Sequence, residues 1–266
     1  MYMTVRQASG QWRIPDKREN TSLSLFEMID QKKIELDSFA PLTEAEREQL
    51  IGEFAAEYIY NSNAIGGNTL TLYETNMVLC GRMIGQKPLK DHIAAVGHKA
   101  AFDYVQELVR EQTPLSEGII KQIHSLVLAD RKEECGVYRK KFAWSTGARE
   151  EPALPYRIAS EMEKLLDVYQ SSTGHILSRL ARFHIEFDKI RPFAGGNGRT
   201  GRLLVNLELM KAGYPPIDIR YEDRTAYYDA FDAYYEEYNP GAMEQLFAGY
   251  ANERLDSCLA MLGERR

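Results

Sequence analysis

An all-α fold with one short β-hairpin is what this chain predicts, and three observations carry that expectation. Apolar residues recur at helical spacing along most of the 266 positions. Two capping boxes, Thr43-Glu44-Ala45-Glu46 and Thr71-Leu72-Tyr73-Glu74, mark helix starts. Residues 135–155, CGVYRKKFAWSTGAREEPALP, are the one stretch where bulky residues alternate as in a strand, with Gly147 free to turn. No repeat or low-complexity linker interrupts the chain, so one compact unit is expected, preceded over residues 1–40 by an arm and a helix.

The elements follow in order. Residues 1–20 are polar around Trp12, Ile14 and Pro15 and read as an extended arm. Ser22 is the candidate cap of a helix to about Asp37. Thr43 opens a helix to about Ser62, with Leu50, Phe54, Ala55, Tyr58 and Ile59 as its apolar stripe. The Asn/Gly-rich run 61–70, NSNAIGGNTL, is expected to stop or bend it. Thr71 starts the next helix, to about Met83. Pro88 suits the first turn of a long helix to about Gln112, and Ser116 caps another. Residues 156–169, 175–190, 201–212, 223–238 and 241–262 complete the helical count, with 175–190 apolar on several faces and therefore central.

Composition excludes several function classes. A net charge of −6 argues against a broad nucleic-acid surface. Cys80, Cys135 and Cys258 form no CxxC pair and read as free thiols in a reducing compartment. His92, His98, His124, His175 and His184 contain no HExxH; His92 and His98 are six apart and read as core or surface residues. No apolar run reaches membrane-span length and no signal peptide is evident, so the expected location is the cytoplasm.

Chemistry concentrates in residues 183–204, FHIEFDKIRPFAGGNGRTGRLL. Gly195, Gly196 and Gly198 permit a tight turn close to a ligand, and Asn197 adds an amide. Arg199 and Arg202 share one face of the following helix. A helix N-terminus with two guanidinium groups suits phosphates. The bland alternative is a helix–turn–helix corner with solvated arginines.

The run Arg191-Pro192-Phe193-Ala194-Gly195-Gly196-Asn197-Gly198-Arg199-Thr200-Gly201-Arg202 resembles the Fic-family motif H-P-F-x-D/E-G-N-G-R-x-x-R. Gly136-Val137-Tyr138-Arg139 looks like the entry to that family's substrate flap. Gly213-Tyr214-Pro215-Pro216, then Arg224 and Tyr227-Tyr228, look like the segment after the motif helix. Residues 62–68, SNAIGGN, are similar to the inhibitory motif S/T-x-x-x-E-G/N, with Ser62 at its hydroxyl position. The resemblance implies a Fic domain over residues 41–266, including the inhibitory helix and the C-terminal helices. It implies transfer of AMP from ATP to a hydroxyl side chain of a protein, with Mg²⁺ assisting. Gly196, Asn197, Gly198, Arg199, Thr200, Gly201 and Arg202 would hold the nucleotide, with Tyr227 and Tyr228 near adenine. A target protein would dock as an added strand at a flap formed by Trp144, Ser145, Thr146, Gly147, Ala148 and Arg149. A homodimer is in keeping with the family.

Three positions depart from the pattern. Arg191 stands where the family has its general-base histidine, and a guanidinium does not give up its proton. Gly195 stands at the acidic metal-ligand position, so Mg²⁺ binding is expected to be weak or lost. Gly66 replaces the inhibitory glutamate, which removes the carboxylate expected to pair with Arg202 and predicts an open nucleotide pocket. Each replacement is reachable by one A-to-G base change. His184 lies seven residues before Arg191, about 10 Å along a helix axis, too far to substitute as base. Glu186 and Asp188 are expected to face away from the loop. Three functions therefore compete: an adenylyltransferase with strongly impaired transfer, a non-catalytic nucleotide- or peptide-binding module, and transfer of another phosphate-containing group.

Overall fold

The computed structural model describes residues 5–6, 12–13, 24–39, 44–142 and 151–263, excluding the side chains of 5–6, 12–13 and 44–50. It is helical, as the sequence predicts. Ten helices are present among the described residues: α1 (Leu25–Asp37), α2 (Glu44–Ile65), α3 (Leu72–Leu79), α4 (Leu89–Arg110), α5 (Glu117–Val127), α6 (Ile158–Ser171), α7 (Ile176–Ile190), α8 (Asn197–Lys211), α9 (Arg224–Glu237) and α10 (Gly241–Gly263). In the N-terminal arm, β1 (Val5–Arg6) pairs antiparallel with β2 (Trp12–Arg13). The expected flap lies largely outside the described residues: 143–150, including Trp144 to Arg149, fall there, and the described flanks 135–142 and 151–154 form no strand.

α7 is the centre. Leu177, Leu180, Ala181, Phe183, His184, Ile185, Phe187 and Ile190 are all buried, so it is covered on several faces. It packs against α6, α8 and α10, while α4 supports α8 from the other side with α5. α1 lies along α10 and contributes Ile29 to the same core. Burial of apolar side chains at roughly 25 cal/mol per Å² drives this arrangement. Gly201 allows α7 and α8 to approach closely. A Cβ there would sit 2.9 Å from the His184 ring and 3.2 Å from Phe187.

Several boundaries differ from expectation, each for a local reason. α1 is capped by Ser24, not Ser22, in a reciprocal capping box with Glu27. α2 does not stop near Ser62 but continues to Ile65, because tertiary partners reward the three polar residues on its last turns. Asn61 donates to Asp218 at 2.6 Å and accepts from the Tyr221 amide, Ser62 Oγ accepts from Arg202 Nε at 2.9 Å, and Asn63 Oδ1 accepts from Arg199 Nη1 at 3.2 Å. Gly67 then ends the helix at φ +87°, with Gly67 N–H on Ala64 O and Asn68 N–H on Asn63 O, a Schellman closure. α3 stops at Leu79 instead of Met83, since Gly81 turns the chain at φ +81°. α8 starts at Asn197, four residues earlier than the periodicity indicates, because loop and helix share a terminus.

Candidate functional site

α7 ends and α8 begins across one tight loop. Arg191 terminates α7 in a left-handed conformation, φ 45° and ψ 65°, with its N–H on Phe187 O. A side chain larger than Asn or His is uncommon at such angles, and positions of this kind gather at functional sites. The Arg191 guanidinium turns back to Asp188, Nη2 to Oδ2 3.8 Å, one helical turn away. Asp188 therefore faces the loop, contrary to the sequence expectation, and burial raises its pKa against the lowering effect of Arg191 and Arg202. Glu186 does face elsewhere and accepts from the Tyr234 hydroxyl.

The turn itself is stapled by Asn197. Its Oδ1 accepts from Phe193 N–H at 3.0 Å and its Nδ2 donates to Phe193 O at 2.8 Å. The amide that the sequence reading assigned to phosphate contact also holds the loop. Gly196, just before Asn197, is left-handed at φ 72° as N-cap of α8, and no side chain caps that terminus. The first N–H groups of α8 are left with the orientation and partial positive charge that suit an anion.

A second fastening comes from α5. The His124 ring stacks on Phe193 with centroids 3.6 Å apart. Its Nε2 lies 2.9 Å from Gly195 O, and its Nδ1 accepts from Gly136 N–H at 2.9 Å. These partners fix the tautomer with the proton on Nε2. Burial pushes His124 down to about 4, so it remains neutral. Its role was not evident in the sequence, where it is one histidine on an apolar stripe.

Arg199 and Arg202 do sit together, as their spacing requires, but neither is open. Arg202 is 5% exposed. Its Nε donates to Ser62 Oγ at 2.9 Å, its Nη2 to Ser62 O at 2.7 Å and its Nη1 to the Tyr227 hydroxyl at 3.2 Å. Arg199 Nη1 donates to Asn63 Oδ1 at 3.2 Å, and Asn63 in turn meets His98 Nδ1 at 3.1 Å. Burial, with Arg202 nearby, lowers Arg199 to about 10. The end of α2 thus lies across both arginines without any carboxylate. A hydroxyl and a carbonyl of Ser62 and the amide oxygen of Asn63 are their partners, where the sequence reading expected a pocket left open by Gly66. Gly66 itself has an ordinary φ, and a Cβ there would meet Asn63 O at 3.3 Å.

Other predicted site residues lie deeper. The Thr200 side chain is fully buried, with no hydrogen-bond partner for its hydroxyl. Gly201 faces α7, as described. Tyr227 is 2% exposed and its hydroxyl sits 2.6 Å from His184 Nε2. Tyr228 is half exposed and donates to Ile65 O at 3.2 Å. His184 is a packing residue, held neutral by burial at about 3.

The residues present do not fit Mg²⁺. Gly195 offers only its carbonyl, and His124 already lies on it. Among the described residues no group of three or more His, Cys, Asp or Glu is placed to hold a metal ion.

Residues 114–209 match the Fic/DOC family. The chain carries a Fic domain. It is 32% identical over 230 residues to a protein adenylyltransferase Fic of Nematostella vectensis, covering 84% of this chain and 53% of that one. It is 33% identical over 219 residues to the Aedes aegypti protein of that name, covering 79% and 43%. The chain therefore spans about half the length of the curated relatives it matches. A fragment of Fic-1 from C. elegans carrying one Glu-to-Gly substitution superposes with TM-score 0.78 at 26% identity, covering 89% of this chain and 71% of that one. A Fic-domain signaling protein from Bacteroides thetaiotaomicron superposes with TM-score 0.75 at 25% identity, covering 90% and 95%. The all-helical architecture is the Fic fold. No described helix is long and apolar enough to cross a membrane.

Proposed function

We propose that this Fic domain is built for transfer of AMP from ATP to a protein hydroxyl, and that as written it retains a phosphate cradle but performs that transfer at a severely reduced rate. In the reaction, the hydroxyl oxygen attacks the α-phosphorus, the bond to pyrophosphate breaks, and the hydroxyl proton must leave. The observation that carries the reading is Arg191. It ends α7 at the left-handed turn where the family motif has histidine, and its guanidinium is permanently protonated. It cannot accept the proton, and its charge is engaged by Asp188. Loss of a general base typically costs about 10²–10⁴ in rate. What supports a surviving cradle is the uncapped N-terminus of α8 beside Arg199 and Arg202.

The braces from α2 add a second element. Ser62 and Asn63 hold the two arginines, so ATP must compete for them. Autoinhibition in this reading is weakened by Gly66 but not abolished. A target protein at the flap, ATP as substrate and a cytoplasmic setting belong to the same proposal; Mg²⁺ does not.

Calorimetry with ATP, paired with an assay for protein-bound label from α-labelled ATP, tests this. Saturable ATP binding with little or no label on protein is expected. Robust labelling by the unaltered chain refutes the impaired base, and no ATP binding at millimolar concentration refutes the cradle. The latter outcome, with a stable peptide ligand, favours a non-catalytic binding module.

A further inference from the structure

Arg139 is 5% exposed, and every described contact of its guanidinium is with a backbone carbonyl. Its Nε donates to Arg191 O at 2.7 Å and its Nη2 to Ile190 O at 3.3 Å. Its Nη1 donates to Lys141 O at 3.0 Å, and Nη2 also donates to Ala153 O. Its own N–H donates to Pro192 O at 3.0 Å. One side chain therefore ties the last carbonyls of α7, the left-handed turn at Arg191, and the two chain segments at Lys141 and Ala153.

We infer that Arg139 is a positioning residue for transfer, setting the backbone turn that presents residue 191 to the pocket. This rests on the transferase reading above. The physical case is an accounting of carbonyls. A helix C-terminus leaves its final C=O groups without intrahelical partners, and α7 ends inside the protein beside the site. A guanidinium presents five N–H donors in a fixed planar fork, so it can hold several such groups at once in one geometry. Bonds from a charged donor are the stronger kind. No carboxylate is among its described hydrogen-bond partners, and burial together with Arg191 pushes its pKa down. A surface salt bridge would not explain a buried cation spent on four carbonyls. Fixing the strained turn at Arg191 does explain it.

The test has two parts, with Arg139→Gln and Arg139→Lys as variants. In the otherwise unaltered full chain, amide hydrogen exchange is followed across 190–193, at the N–H groups of Ile190, Arg191 and Phe193, and in the core of α4, α7 and α8. The expected result is exchange at least tenfold faster at 190–193 in Arg139→Gln, a smaller change in Arg139→Lys, and core protection within twofold of the parent. Unchanged exchange at 190–193, or an equal loss across the core, overturns the proposal in favour of a null or a general stability role. In the second part the same variants are placed in an Arg191→His, Gly195→Asp background. Labelling from α-labelled ATP at saturation is expected to fall more than tenfold, with half-saturating ATP within about twofold. Equal labelling with and without Arg139→Gln also overturns it. Absence of labelling from the background itself counts against the transferase reading, and the exchange result then decides the role of Arg139 alone.

Discussion

The two ends of one loop have diverged. At its back, Asn197, His124 and Phe193 fix the turn through bonds that involve no substrate. At its front, Arg191 holds a left-handed turn with its guanidinium turned back to Asp188, and Gly195 brings no side chain at all. Gly195 has an ordinary φ, and a Cβ there would meet Arg131 Nη1 at 3.5 Å and Leu128 Cδ1 at 3.8 Å, ordinary contacts. Gly196, its neighbour, is at φ 72°, and a Cβ would press on Val127 at 3.3 Å and His124 at 3.4 Å. One glycine is an absent side chain, the other a backbone requirement. The contrast separates what makes the loop from what would make it react.

The sharpest way to use that contrast is to restore the front. Arg191→His with Gly195→Asp is expected to raise labelling from α-labelled ATP by about 10²–10⁴ with thermal stability nearly unchanged. A gain below tenfold in a folded variant would mean that the cradle, not its front edge, is defective. Breaking the back gives the opposite signature. Phe193→Ala removes a fully buried ring stacked on His124 and is expected to cost about 3–5 kcal/mol, read as a fall in the urea midpoint.

A pH series probes the helix behind the loop. His184 is buried and neutral, with its pKa held at about 3, whereas in the unfolded chain it titrates near 6.5. The unfolded state therefore binds the extra proton between those values. The His184 contribution to stability is complete above about pH 6.5 and is lost as pH falls toward 3, at up to about 1.4 kcal/mol per pH unit. The stability difference between the parent and His184→Gln should thus shrink between pH 7 and 4.5 in urea titrations; a constant difference contradicts a neutral buried ring. The smallest effect is expected at the brace. Ser62→Ala removes the hydroxyl acceptor of Arg202 and should tighten ATP binding a few-fold by calorimetry, since less must be released. Weaker binding would mean that Ser62 orders Arg202 for the ligand instead of withholding it.

Much of this was legible in the chain. The periodicity of residues 175–190 placed α7 at the centre, and the glycine-rich run located the loop and both arginines. What escaped was the destination of polar groups. The amide of Asn197 has the same donors and acceptors whether it meets a phosphate or Phe193, so residue type alone does not distinguish ligand contact from a staple. Asp188 was recoverable: three residues before Arg191 on one helix, the pair shares a face. The extension of α2 to Ile65 was not, because Asn61 and Asn63 are poor helix formers whose rewards come from Asp218, Tyr221 and Arg199, far away in sequence. His124 gave no signal beyond its place on an apolar stripe, since its partners at Gly136 and Gly195 are backbone atoms.

The Asn197 staple has a consequence for substitution. It closes the turn from Phe193 to Asn197 without calling on residue 191 or 195. A side chain at 195, where φ is ordinary and a Cβ meets only ordinary contacts, is then expected to leave the turn folded, whereas residue 191 must still accept its left-handed backbone.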